Sequence, residues 1–134
     1  RAVMEGVVFA LRQTLEICLT LGAPVDQLIV SGGGAESAVW RQIQADVFGL
    51  PLRKTLTGEQ TSIGAALLAA VGVGLYTTLT EASAATARFG PPTEPNAANH
   101  ARYNAHYAAF LDLYPHLRAD LHRLSTLGGQ QTLP

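Results

Sequence analysis

The sequence predicts an α/β fold that is mostly helical, with a few short strands. Three observations carry that expectation. Apolar residues recur at helical spacing in three stretches, Met4 to Cys18, Trp40 to Val47 and Tyr103 to Leu124. One short apolar run, Leu28-Ile29-Val30, stops against Ser31-Gly32-Gly33-Gly34, as a buried strand entering a tight loop would. Glycine and proline punctuate the chain at Gly22/Pro24, Gly49/Pro51 and Gly90-Pro91-Pro92.

The elements follow in order. Met4, Val8, Leu11, Leu15 and Cys18 form the apolar face of a first helix, while Glu5, Arg12 and Glu16 lie on other faces. Arg1 to Val3 include no Ser, Thr, Asp or Asn, so this helix has no N-cap and is expected to begin upstream of Arg1. Ser37 can cap a second helix whose apolar face is Trp40, Ile43 and Val47. Arg41, Gln42, Gln44 and Asp46 are expected to face away, and Gly49 to end it. Leu52 to Leu56 reads as an edge strand after Pro51.

A third helix is expected over Glu59 to Val73. Its small residues, Gly64-Ala65-Ala66, Ala69-Ala70 and Gly72, suit the close approach of another backbone, beside the glycine loop. Leu79 to Phe89 reads as a short helix and Gly90 to Asn96 as a rigid connection. In the last helix the stripe Tyr103, Tyr107, Phe110, Tyr114, Leu117, Leu121 and Leu124 holds its register, and Pro115 should kink or break it near Leu111 to Tyr114. Residues 128–134 are expected to form a loose tail.

Composition narrows the function classes. The chain has 134 residues, enough for one domain or a piece of a larger one, and 48% hydrophobic residues argue against disorder. A net charge of -1 without a basic run argues against nucleic-acid binding. No apolar stretch approaches the ~20 residues that span a bilayer, so no membrane partner is expected. A single cysteine excludes an internal disulfide and fits a reducing, cytoplasmic setting.

The chemistry concentrates in the segment Val30 to Ser37. Three glycines after a strand let a ligand reach the main chain. A P-loop needs Lys and Ser/Thr after its second glycine, but Lys54 lies twenty residues beyond Gly34. The dinucleotide fingerprint fails as well, since Ser37 stands where the third glycine belongs. Glu36 puts a negative charge beside the loop, which suits a neutral base and ribose better than phosphate. A tight strand-to-helix turn without a ligand is the alternative.

The segment Val30-Ser31-Gly32-Gly33-Gly34-Ala35-Glu36-Ser37, then Trp40-Arg41-Gln42-Ile43 and Ala45-Asp46-Val47, resembles the adenosine motif of the FGGY carbohydrate kinases. Glu59 to Leu68 resembles the small-residue helix that follows it in that family. Arg1 to Val7 resembles the start of the preceding helix, and Tyr103 to Leu117 resembles the tail helix of the xylulose kinases within that family. The resemblance runs in order from Arg1 to about Leu124.

It implies the C-terminal lobe of a ribonuclease-H-like ATPase of the actin and hexokinase type, over residues 1–127. That lobe would bind ATP or ADP in an enzyme that phosphorylates a ketose such as xylulose. Gly32, Gly33, Gly34 and Ala35 would line adenine and ribose. Ala38 stands where related glycerol kinases carry an asparagine that reaches the base, a hydrogen bond alanine cannot make, and Gln42 is a further candidate. The catalytic aspartate, the phosphate loops and most contacts to Mg²⁺ and sugar would precede residue 1. No catalytic residue is assigned in this chain, and the piece alone is expected to be inactive. Removal of the other lobe would leave apolar surface through which the chain could form a homodimer.

Other residues point to structure. His100, His106, His116 and His122 are spaced by 6, 10 and 6, without the i, i+4 pair of a helical zinc site, so they read as exposed and no metal site is expected. Cys18 reads as buried and inert. Ser31 lacks a hydrolase elbow. The tyrosine stripe and Trp40 read as core. Two rival readings remain: an actin-like regulatory domain that binds nucleotide without kinase activity, and a helical interaction module using the Tyr103 to Leu124 stripe.

Overall fold

The computed structural model describes residues 1–58 and 60–129. Its elements are α1 (Ala2–Thr20), β1 (Leu28–Val30), a 3₁₀ turn (Gly33–Glu36), α2 (Ala38–Phe48), β2 (Leu52–Thr55), α3 (Gln60–Gly72), α4 (Leu79–Thr86), β3 (Phe89–Thr93) and α5 (Ala97–Gly129). Glu59, and the expected tail from residue 130 onward, lie outside the described residues.

The core lies where α1, α2 and the first half of α5 meet. Val8, Phe9, Ile43, Val47, Tyr103 and Tyr107 form it, with Met4, Trp40, Phe48 and Phe110 packed against them. Phe9 is its aromatic centre. Its ring lies 6.0 Å from Tyr103, edge-on, 5.8 Å from Tyr107 and 5.5 Å from Phe110.

This corrects the expected face of α1. Val8 and Phe9 are buried, Leu11 is half exposed and Cys18 is exposed. The buried stripe runs one residue further round the helix than the periodicity suggested.

Polar groups seal the core's rim. The Tyr103 hydroxyl donates to Glu5 at 2.8 Å and the Tyr107 hydroxyl to Glu16 at 2.8 Å. Arg12 stacks 4.2 Å over the Tyr107 ring and donates to the Val47 carbonyl at 3.0 Å and to Asn104 at 2.7 Å. One side chain thus pins α1, α2 and α5 together.

In α2, Ser37 caps the start by accepting the Trp40 amide, and Gly49 ends it in the left-handed region at φ 70°. A Cβ on Gly49 would meet the His100 ring at 2.5 Å, so glycine is required there twice over. Gln44 and Asp46 do not face solvent as expected; they are 6% and 2% exposed. Asp46 is a hub between α2 and α5. It accepts from Gln42 at 2.8 Å, from the Asn96 amide at 2.7 Å and from Asn99 at 2.9 Å. A buried carboxylate is tolerated because donors surround it. The Asp46 carbonyl also lies 2.9 Å from His100 Nδ1, so His100 is half buried rather than exposed.

The sheet has the order β1-β2-β3, with β1 and β2 parallel and β2 and β3 antiparallel. β2 is therefore the central strand, not an edge. Pro51 stands just before β2 and removes no donor from the ladder. β1 is half buried rather than buried, with Ile29 47% exposed.

A third strand stands where a helix end and a rigid connection were expected. Phe89-Gly90-Pro91-Pro92-Thr93 pairs with β2 along its free side, so its prolines sit on an edge strand that needs fewer donors. The short helix expected through Phe89 ends at Thr86.

Two helical expectations fail for lack of neighbours. α3 buries no residue, and nothing lies within 4 Å of a Cβ placed on Gly64 or Gly72, so the expected close backbone approach is not made. α5 runs without a break through Pro115. Pro115 lacks only the hydrogen bond to Leu111, and the flanking turns keep theirs. Beyond Phe110 the stripe is bare: Tyr114, Leu117, Leu121 and Leu124 are 46–64% exposed. Gly128 and Gly129, placed in the expected tail, belong to α5.

Candidate functional site

The strand order brings two loops together at the carboxyl end of β1 and β2. β1 leads into Ser31-Gly32-Gly33-Gly34, and β2 leads into Leu56-Thr57-Gly58. Between them opens a cleft of about 560 Å³. Ser31, Gly32, Gly33, Ala35 and Glu36 form one wall, and Lys54 to Gly58 with Gln60 and Thr61 form the other. Clefts at this end of a strand pair are common ligand sites.

The first wall is built on glycine. Gly32 adopts φ 80°, ψ 179°, a conformation that side chains disfavour. No atom lies within 4 Å of a Cβ built on Gly32 or Gly33, so their surface is open to a ligand. The chain then tightens into the 3₁₀ turn, with the Ala35 amide donating to the Gly32 carbonyl at 3.0 Å. Ala35 is 3% exposed and forms the base of the turn. Arg41, on α2, braces the turn from behind by donating to the carbonyls of Ala35 and Glu36.

The second wall is held by its own hydrogen bonds. The Thr55 and Thr57 hydroxyls lie 2.8 Å apart. Gln60 donates to Thr55 Oγ1 at 3.1 Å and to the carbonyls of Thr57 and Gly58 at 3.0 and 2.9 Å. Lys54 joins the two walls. The parallel register sets it opposite Val30, and its ammonium pairs with Glu36 Oε2. Sequence distance concealed this: Lys54 is remote from the loop in the chain and adjacent to it across the ladder. Only the parallel pairing of the two strands could have revealed it.

The six nucleotide-binding residues expected from the sequence occupy different places. Gly32, Gly33 and Ala35 line the cleft. Gly34 turns away from it; a Cβ there would meet the Trp40 indole at 3.3 Å, so Gly34 lets Trp40 pack beneath the loop. Ala38 is exposed on the first turn of α2 and is not part of the cleft wall. The Gln42 amide nitrogen is committed to Asp46 and to the Glu94 carbonyl at 3.0 Å, outside the cleft. Among the described residues, no group of three or more His, Cys, Asp or Glu could hold a metal ion, and no helix is long and apolar enough to cross a membrane.

A glycine loop between a strand and a helix, at the carboxyl end of a mixed sheet, is a common ligand-binding position of α/β folds. Comparison with known proteins specifies it. Residues 1–73 match the C-terminal domain of the FGGY family of carbohydrate kinases. The chain is 35% identical over 124 residues to the xylulose kinase of Staphylococcus epidermidis, covering 90% of this chain and 25% of that protein. It is 38% identical over 118 residues to the ribulokinase of Mycolicibacterium smegmatis, covering 85% and 20%. Among solved structures, the xylulose kinase of Rhodospirillum rubrum superposes with a TM-score of 0.78 at 30% identity, covering 91% of this chain and 25% of that one.

The chain belongs to the FGGY family of carbohydrate kinases, as part of its C-terminal domain. Its fold is that of the ribonuclease-H-like lobe of the actin and hexokinase type. It spans about a quarter of the length of the curated relatives named above.

Proposed function

We propose that this chain is the adenosine-binding part of an ATP-dependent sugar kinase, with residues 1–127 within its nucleotide-binding lobe and a ketose, in first place D-xylulose, as acceptor. The observation that carries the reading is the open glycine surface of Gly32 and Gly33 facing the cleft, where a planar base and its ribose can lie against main chain. The resemblance to xylulose kinases along most of the chain favours D-xylulose. The ribulokinase relative makes other ketoses the competing acceptors.

In this reading the chain's own residues orient the nucleoside. Gly32, Gly33 and Ala35 support it, Gly34 shapes the loop over Trp40, and Arg41 keeps the turn rigid so that little order is lost on binding. Ala38 and Gln42, outside the cleft wall, take no part in this reading. ATP supplies the transferred phosphoryl group. Mg²⁺, the triphosphate, the sugar and the general base would be handled by the rest of such an enzyme; among the described residues no group of His, Cys, Asp or Glu gathers for a metal. The chain alone is inactive, and the setting is cytoplasmic. The exposed apolar residues of α5, Tyr114 to Leu124, would be covered in the whole protein or by a second copy of this chain.

Amide chemical shifts of the 134-residue chain during titration with adenosine, ADP and ATP test the reading. Shifts centred on Gly32, Gly33 and Ala35, alike for all three ligands and with affinity on the order of millimolar, are expected. The same sample should release no ADP from ATP when D-xylulose is added. A response to ATP alone, centred on Lys54, would show that the cleft reads phosphate.

A further inference from the structure

We infer that Glu36 reads the ribose: its carboxylate, held in place by Lys54, accepts the vicinal hydroxyls of the nucleoside and makes the cleft select ribonucleosides over deoxyribonucleosides. The inference rests on the adenosine reading above and adds a residue and a selectivity to it.

Hydrogen-bonding capacity around the cleft leads to Glu36. The Thr55 and Thr57 hydroxyls bond each other, and the Gln60 amide nitrogen is shared among three acceptors. Lys54 is a donor already bound to Glu36 Oε2. Glu36 Oε1 accepts no hydrogen bond among the described residues, and the side chain is 68% exposed on the cleft wall. An ionised carboxylate only accepts, so it needs donors from a ligand. Phosphate at neutral pH offers almost none and is repelled. A vicinal diol offers two.

Lys54 supplies the positioning. Without it, an exposed glutamate would sample many rotamers and lose entropy on binding. Its side chain is only 26% exposed, and β2 lies at the centre of the sheet, so the ammonium is presented from a fixed base. The ion pair itself adds little to stability at such an exposed site, which leaves orientation as its main effect.

The experiment compares adenosine with 2′,3′-dideoxyadenosine by amide shift titration of the 134-residue chain. Dideoxyadenosine is expected to bind roughly tenfold more weakly, as loss of hydrogen bonds to a charged acceptor would require. Glu36→Ala should bring the two ligands within about twofold by weakening adenosine alone; the same capacity argument predicts that dideoxyadenosine is unaffected. Lys54→Met should weaken the discrimination, and Lys54→Arg should restore it. Glu36 is exposed and the half-buried Lys54 ends at the cleft, so the variants should keep the native fold, which their amide spectra check.

Equal binding of the two nucleosides, with shifts at Gly32 and Gly33, would overturn the inference and leave the adenosine reading standing. Discrimination between adenosine and inosine that is lost in Glu36→Ala, without discrimination at the ribose, would also overturn it, by assigning Glu36 to the base. Absence of any response to either nucleoside would overturn the adenosine reading and this inference with it.

Discussion

Helices α2 and α3 invert what composition alone would suggest. α2 has 11 residues and buries Ile43, Gln44, Ala45, Asp46 and Val47, two of them polar. α3 has 13 residues, almost all apolar or small, and buries none. The difference lies in the neighbours. α2 is covered by α1, α5 and the sheet, whereas α3 touches mainly α4. Apolar content marks what a helix can bury, and the partner decides whether it does. A polar residue such as Asp46 can lie deep in a helix interface when both carboxylate oxygens find donors.

The sharpest way to break this contrast is a charge in the core beside α2. Val47 is fully buried among Val8, Phe9 and Tyr107. Val47→Asp should cost about 4 kcal/mol or more and abolish cooperative unfolding, because it puts a carboxylate in place of an apolar side chain among Val8, Phe9 and Tyr107. A cooperative melt close to the native midpoint would mean that the three-helix contact is dispensable.

A smaller effect is expected at the core's rim. Burial, and then the hydrogen bond to Glu16, push the Tyr107 hydroxyl up to about 12. In the unfolded chain it titrates near 10. The folded state therefore holds this proton more tightly. The associated stability is complete below about pH 10 and is lost as pH rises toward about 12. Tyr103 is shifted in the same direction, for the same first cause. Tyr107→Phe should lower the melting midpoint at pH 7, through loss of one hydrogen bond worth about 1 kcal/mol. It should also make the alkaline decline shallower. A decline as steep as the native one would assign the alkaline loss to other groups.

The smallest effect is expected in α3. A Cβ at Gly64 meets no atom within 4 Å, and Gly64→Leu replaces glycine with a strong helix former. It should stabilise the chain by about 0.5–1 kcal/mol, read as a slightly raised midpoint. A loss of stability would show that α3 packs against something in solution, a second copy included.

The legible parts of the fold are those specified by local chemistry. Ser37 and Gly49 bracket α2 in the sequence as they do in the structure, and Leu28 to Val30 is a strand in both. The glycine surface of the cleft was also legible, since three consecutive glycines after a strand leave few alternatives. What local chemistry could not specify was partnership. Phe9 rather than Leu11 is buried because its ring meets Tyr103, Tyr107 and Phe110 of α5. β3 is a strand in spite of two prolines because β2 had one free side. Lys54 belongs to the site only through pairing with β1. Pro115 fails to break α5 because one missing hydrogen bond does not outweigh the helix on either side.

The pairing of β1 with β2 also has an evolutionary consequence. Side chains along a strand alternate faces, so a slip of one residue would move Lys54 away from Glu36 and bring Arg53 or Thr55 to the position opposite Val30. The charge balance at the cleft mouth is therefore encoded in alignment rather than in any single codon. An insertion or deletion between Gly49 and Leu52 would leave every cleft residue in the gene and still change which of them face one another. Length variation in that short connection should be selected against as strongly as substitutions in the glycine loop itself.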